Sequence, residues 1–252
     1  MKYLEIFTVE SNIALNKTCF LLVLRSPVSL ETVAAGQFVS IEVKGEDERI
    51  LRRPISIHDV DKTNNLLYLV VQRIGKATNR LAEIKKNDEI SLVFPLGNGF
   101  AIEGEKPLLI GGGVGTAPLY LLAKEFKSRG IVPDILIGAR TNEQLFLTNR
   151  YSALGNLSIS TEDGSVGERG LVTQNSVLKK DFDVIYSCGP TSMMRAVADL
   201  AKKRNIKCYL SLENRMACGI GACLCCVNEN KEGHNVCVCT DGPVFLSDDI
   251  KL

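Results

Sequence analysis

Six of the nine cysteines in this 252-residue chain lie within 22 positions, from Cys218 to Cys239, in the stretch RMACGIGACLCCVNENKEGHNVCVCTDGPVF. The 217 residues before them hold only Cys19, Cys188 and Cys208. A backbone carrying six thiols so close together either knits disulfides or wraps a metal centre, and the choice turns on compartment. The opening MKYLEIFTVESN has no apolar core behind a basic stretch, so no secretory leader is visible. The cytoplasm is the expected location. Thiols stay reduced there, and clustered cysteines read as metal or redox chemistry.

Cys218-x4-Cys223-x2-Cys226 is the spacing of plant-type 2Fe–2S sites. Gly219, Ile220, Gly221 and Ala222 are small or flexible enough to wrap backbone around inorganic sulfide. A fourth thiolate must come from Cys237 or Cys239, and spacing leaves the two open. Cys225 adjoins Cys226, and neighbouring side chains point apart, so both do not face one centre. A structural zinc site prefers two C-x2–4-C knuckles; Cys223-x2-Cys226 is one, but Cys237-x-Cys239 is too tight for the second. Iron–sulfur is the preferred reading. Cys19 and Cys208, in apolar strand-like settings, read as small buried hydrophobes.

Ahead of this tail the pattern changes once. The strand-like runs KTCFLLVLRS, GQFVSIEV, RRPISIHDV and NLLYLVVQRI are separated by links such as KGEDE and DKTNN. A helical turn in ATNRLAEIKKND and a strand at EISLVFPL follow. Together they predict a small antiparallel β-barrel over residues 1–102. From Gly104-Glu105-Lys106-Pro107 onward, strands in KPLLIGGG, VPDILIGAR, NLSISTED and FDVIYSCG alternate with helix-like TAPLYLLAKEFKSRG and TSMMRAVADLAKKRN. That is the pattern of a parallel, doubly wound α/β domain over 103–210, leaving 211–252 as a small C-terminal module. Thirty basic against 29 acidic residues give a net charge of +1, with no broad footprint for nucleic acid or an anionic membrane. The apolar run Lys106–Ile110 is far too short to span a bilayer.

Ile110-Gly111-Gly112-Gly113-Val114-Gly115-Thr116-Ala117-Pro118 joins a predicted strand to a predicted helix. Glycines there let main chain approach a pyrophosphate, and the helix start offers unpaired N–H donors. The loop is neither a strict G-x-G-x-x-G fingerprint nor a Walker loop. By itself it fits a tight turn nearly as well, but a second strand end, Tyr186-Ser187-Cys188-Gly189-Pro190, also runs straight into a helix. In an open parallel sheet such strand ends form the ligand crevice.

Three patterns converge here. Arg53-Pro54-Ile55-Ser56 resembles the R-x-Y-S flavin motif of the ferredoxin–NADP reductase superfamily, and Gly111–Pro118 and Cys188-Gly189-Pro190 resemble its pyridine-nucleotide motifs. Glu213–Cys218 through Cys239–Phe245 is similar to one branch, the electron-transfer subunits of NAD-dependent (type 1B) dihydroorotate dehydrogenases. The resemblance covers nearly the whole chain in the same motif order. It implies an FAD-binding barrel, an NAD domain and a terminal 2Fe–2S module whose last ligand precedes the acidic-Gly-Pro turn. The implied ligands are then Cys218, Cys223, Cys226 and Cys239, with Cys225 and Cys237 spare. It also implies that Arg53 serves the flavin diphosphate, where a guanidinium fork suits phosphate, and that Ser56 lies near flavin N5. Ile55 departs from the superfamily tyrosine, leaving apolar packing where a ring would stack. Val70, Val71 and Gln72 resemble a strand running along the flavin, and Gly75-Lys76-Ala77-Thr78 its phosphate loop, with Ala77 replacing a usual glycine.

For the dinucleotide, the resemblance assigns the pyrophosphate to Gly111, Gly112, Gly113, Gly115 and Thr116, and the nicotinamide border to Cys188, Gly189 and Pro190. Arg140 and Asp163 follow the next strands, where an adenosine ribose or plain solvent suits them equally. No acidic ribose partner follows the glycine loop at the Rossmann distance, so NAD over NADP comes from the resemblance. Electrons are expected to run from a partner's flavin through the cluster to FAD and, as hydride, to NAD+. His58 and His234 read as ordinary loop or strand-end residues, and no hydrolytic constellation stands out. Dihydroorotate oxidation is therefore expected on another polypeptide, an FMN-bearing catalytic subunit, in a heterotetramer. The competing readings are an NAD(P)H reductase subunit of another flavin/iron–sulfur complex and a zinc-stapled nucleotide-binding module without redox function.

Overall fold

The computed structural model describes residues 2–43 and 51–252; the KGEDE link, at 44–48, lies outside the described residues. Six antiparallel strands close a barrel: β1 (Tyr3–Ala14), β2 (Cys19–Arg25), β3 (Phe38–Ile41), β4 (Arg53–Asp61), β5 (Leu66–Gln72) and β6 (Glu89–Leu96). Their order around it is β1-β2-β5-β4-β3-β6. A short helix, α1 (Lys76–Leu81), links β5 to β6. The apolar continuity of β2 has a two-sided cause. Phe20, Leu22 and Leu24 fill the barrel, while Cys19, Leu21 and Val23 pack on Val70, Ala117 and Phe146 at its junction with the second half. β1 has no clean sequence signal, because Leu4 and Ile6 point outward, 66% and 49% exposed, while Phe7 and Val9 turn in.

The second half holds β7 (Pro107–Gly112), α2 (Leu119–Ser128), β8 (Asp134–Ala139), α3 (Thr148–Ser152), β9 (Asn156–Thr161), β10 (Glu168–Arg169), β11 (Val184–Cys188), α4 (Thr191–Lys203) and β12 (Lys207–Ser211). Beyond them come a hairpin, β13 (Val227–Glu229) and β14 (Asn235–Cys237), and a final strand, β15 (Val244–Leu246). The sheet runs β10-β9-β8-β7-β11-β12-β15, parallel except where β15 pairs antiparallel with β12. The cysteine tail is thus sewn into the sheet by its last strand. No helix among the described residues is long and apolar enough to cross a membrane.

His58 is not the loop or strand-end residue its sequence setting implies. It sits within β4, fully buried between barrel and α2, stacked on Tyr120 with ring centroids 4.6 Å apart. Burial holds it neutral and pushes its pKa down to about 4; the Ala117 carbonyl opposes this, and Arg150 and Lys124 add to it. An unfolded histidine titrates near its ordinary 6.5, so between pH 6.5 and 4 the unfolded chain binds a proton that the folded chain refuses. The resulting stability is complete above pH 6.5 and is lost as pH falls toward 4, by roughly 3 kcal/mol for such a shift. Denaturant unfolding across this window should show a steeper acid loss in the wild type than in His58→Asn; equal slopes would refute it.

Candidate functional site

The carboxyl ends of β7 and β11 flank the point where the sheet order reverses, the position at which open α/β sheets take ligands. Three adjoining cavities of about 220, 450 and 340 Å³ run along them. The first lies against the barrel, lined by Pro54, Ile55, Ser56, Val70, Gln72 and Thr78, with Val114 and Ala117 opposite. These residues from separate segments are therefore brought together. Val71 is not among them: strand alternation turns it into the barrel core, 1% exposed. Arg53 curls back onto the carbonyls of Leu51 and Arg52. Arg52 donates from Nη1 to the Ser91 carbonyl and from Nη2 to Ser91 Oγ, each at 2.9 Å. Thr78 Oγ1 accepts from the N–H groups of Ile74 (2.9 Å) and Gly75 (3.2 Å), holding the loop in shape, with Ala77 buried beneath it.

Val114, Gln72 and Glu213 line both this cavity and the next, which continues along Gly112, Gly113, Gly115, Gly189 and Pro190. The two loops meet backbone to backbone: a Cβ on Gly115 would stand 2.5 Å from the Gly189 Cα. Gly111 and Thr116 lie under the loop rather than on its cleft face. Thr116 fills the space a Gly111 side chain would take, and its buried Oγ1 has no hydrogen-bond partner among the described residues. Cys188 is likewise below the surface, its thiol pushed well up by burial.

Two acids missing from the sequence-predicted site stand in the cleft. Glu213 lies two residues beyond the end of β12, exposed in the cleft, where desolvation by the surrounding protein raises its pKa. Glu162 directly follows β9 and lines the third cavity with Arg140, Leu171 and Met193. Asp163 is engaged elsewhere, accepting from Ser165 N at 3.0 Å and Ser165 Oγ at 2.7 Å. The signal for both acids was their place at the carboxyl end of a parallel strand.

In the tail, backbone N–H groups point at four sulfurs. Ile220 and Cys223 donate to Cys218 Sγ (both 3.4 Å), Cys225 to Cys223 Sγ (3.5 Å), Cys239 to Cys226 Sγ (3.4 Å) and Gly221 to Cys239 Sγ (3.2 Å). Against the opposing effect of burial, those donors draw the Cys218 thiol down to about 6. Cys225 is exposed. Cys237 lies beside Cys226, but its own N–H goes to Asp241 Oδ2 at 2.6 Å. Among the described residues, no three Cys, His, Asp or Glu side chains are grouped as for one ion. The thiols instead meet as Cys218 with Cys223 and as Cys226 with both Cys239 and Cys237; pairing Cys226 with Cys239 gives two irons two thiolates each. Gly221, at φ +85°, makes the left-handed turn that lets the loop pass under Thr240. The loop abuts the first cavity: Asn214 and Met216 line it, and Asn214 Nδ2 donates to the Cys226 carbonyl at 3.3 Å.

Residues 213–251 match the family model of the iron-sulfur cluster binding domain of dihydroorotate dehydrogenase B. Over 99% of both chains, the protein is 39% identical to the dihydroorotate dehydrogenase B (NAD(+)) electron transfer subunit of Fusobacterium nucleatum. The chain belongs to that family. The Bacillus caldolyticus member is 37% identical over 98% of both chains. Among solved structures, an NADH-dependent reduced ferredoxin-NADP oxidoreductase studied for flavin-based electron bifurcation superposes with a TM-score of 0.88 at 30% identity, covering 98% of this chain and 90% of that one. Membership of the electron transfer subunit family sets aside the zinc-stapled reading. It also bears out the barrel, the parallel α/β half and the iron–sulfur tail as the fold of such a subunit.

Proposed function

We propose that the chain carries electrons between a catalytic partner subunit and NAD+, so that dihydroorotate oxidised on the partner yields orotate and NADH. The observation that carries this is the junction at Asn214 and Glu213, where cluster loop, flavin-side cavity and dinucleotide cleft adjoin. When bound, FAD exchanges a hydride with nicotinamide and single electrons with a 2Fe–2S cluster. The chain's own residues do the rest. Cys218, Cys223, Cys226 and Cys239 supply the thiolates, and Pro54, Ile55, Ser56, Val70 and Gln72 give the flavin its walls. Gly112, Gly113 and Gly115 leave room for pyrophosphate, while Gly189 and Pro190 border the nicotinamide. Glu213 presents its carboxyl where the flavin-side cavity and the dinucleotide cleft would meet.

In this reading residues 1–102 serve FAD, 103–210 NAD and 211–252 the cluster. The partner is an FMN-bearing catalytic subunit in a two-plus-two heterotetramer. A cytoplasmic location keeps the cluster cysteines reduced and available to iron. The test is reconstitution. The chain alone, loaded with flavin and iron, should reduce a dye with NADH yet leave dihydroorotate untouched; adding the catalytic subunit should produce NADH from dihydroorotate. Full dihydroorotate oxidation by the chain alone would refute it.

Glu162 explains the preference for NAD. A carboxylate at the adenosine end accepts hydrogen bonds from a ribose diol and repels a 2′-phosphate. Glu162→Ser should improve kcat/KM for NADPH by about tenfold or more relative to NADH, since removing a like-charge clash restores binding lost to repulsion. An unchanged ratio would take the role from Glu162.

A further inference from the structure

The cofactor-binding residues leave the buried imidazole of His58 unexplained. His58 Nδ1 stands 2.9 Å from the carbonyl oxygen of Ala117. A carbonyl only accepts, so Nδ1 carries the hydrogen and Nε2 is a bare lone pair, buried without a partner among the described residues. An unpaired ring nitrogen in an apolar setting is costly, and a phenyl ring would fill the same stack on Tyr120 without it. What histidine adds there is the donor to Ala117.

Both ends of that bond belong to the site. His58 lies two residues beyond Ser56 on β4, and Ser56 lines the flavin-side cavity. Ala117 lines the opposite wall and ends the turn Gly113–Thr116 that borders the dinucleotide cleft. The neighbouring carbonyl is held the same way, with Tyr151 Oη donating to Thr116 O at 2.9 Å. Tyr120 packs edge-on against Tyr151 at 5.2 Å, so the three rings form one rigid block. Outside it, Lys124 Nζ donates to Asp59 Oδ1 at 2.8 Å, a second tie between α2 and β4.

We propose that His58 is a positioning residue: by holding the Ala117 carbonyl it fixes the nucleotide loop against the flavin strand, and so sets how closely nicotinamide approaches the flavin. This rests on the flavin–nicotinamide reading above. Hydride transfer demands near-contact geometry, and small misplacements from outside the reacting centre slow it steeply. Pinning the loop to the strand that lines the flavin cavity makes that geometry a property of one block rather than of two hinged halves.

The test uses the assembled, FAD-loaded complex. Stopped-flow bleaching of the flavin at saturating NADH is measured with NADH affinity and amide exchange over residues 113–120. His58→Phe should lower the bleaching rate about tenfold or more and speed exchange in that segment, with NADH affinity within about twofold. His58→Asn, whose amide nitrogen stands in for Nδ1, should stay within about threefold of wild type. Wild-type bleaching in His58→Phe, or equal slowing in both variants, would overturn the proposal. Should His58→Phe not fold, His58→Leu takes its place: it too removes the donor to the Ala117 carbonyl, so a slowed rate supports the clamp and an unchanged rate overturns it. A wild-type complex whose flavin NADH does not bleach would instead overturn the functional reading itself.

Discussion

Cys239→Ser is expected to strip the iron–sulfur absorbance and lower NAD-linked dihydroorotate turnover about a hundredfold or more, because losing a ligand costs more than the 10–100-fold typical of residues supporting one. Cys237→Ser should keep both within about twofold, as expected for a residue that does not ligate. Spacing does not separate these two thiols; hydrogen bonding favours Cys239. Cys239 Sγ is buried and accepts from Gly221, on the loop that carries Cys218 and Cys223. Cys237 ends a hairpin strand and has its backbone tied to Asp241. N–H groups aimed at sulfur stabilise thiolate and lower the electron density on iron, so a thiol on the receiving end is already placed as a ligand. Iron and sulfide analysis beside the visible spectrum reads the outcome without relying on turnover. Because Cys237 lies next to Cys226, it is the thiol that would take over if this assignment is wrong. A full iron complement in Cys239→Ser with loss in Cys237→Ser would reverse the ligand roles.

The sequence revealed the parts whose chemistry is local. Cys218-x4-Cys223-x2-Cys226 marks a loop, the glycines after β7 mark a strand-to-helix turn, and the two-sided apolar run of β2 marks a buried strand. Face and depth needed three dimensions. Val70 and Gln72 reach the cavity while Val71, between them, faces the barrel interior; a motif quoted as a block hides that alternation. Thr116 and Cys188 sit inside motifs that line the cleft, yet both side chains are below its surface. His58 looks like an ordinary strand-end residue until α2 is packed over it. Glu162 and Glu213 lacked a motif of their own, and their role follows only from which strand ends the parallel sheet sets side by side.

Gly115→Ala should lower NADH-driven flavin reduction about a hundredfold, the scale of a misplacement of an ångström or so near a hydride-transfer site. The new methyl would stand 2.5 Å from Gly189 Cα and 2.7 Å from the Cys188 carbonyl oxygen. Those atoms are main chain, so no side-chain rotation relieves the clash, and the two loops that border the dinucleotide cleft must part. Such overpacking costs about 1–3 kcal/mol of stability, so thermal or denaturant unfolding should fall along with activity. Iron content should not change, because the cysteine loop draws none of its sulfur-directed donors from this region. Gly113→Ala is the informative contrast. Its methyl meets nothing within 4 Å, but Gly113 holds φ +55° and faces the cleft. The left-handed backbone costs about 1–2 kcal/mol with a side chain present, and the methyl projects into the cavity proposed for the dinucleotide. Gly113→Ala should therefore raise KM for NADH more than it lowers kcat, whereas Gly115→Ala should lower kcat itself. If both variants only raised KM, the meeting of the two loops would govern binding and not the alignment of the reacting rings.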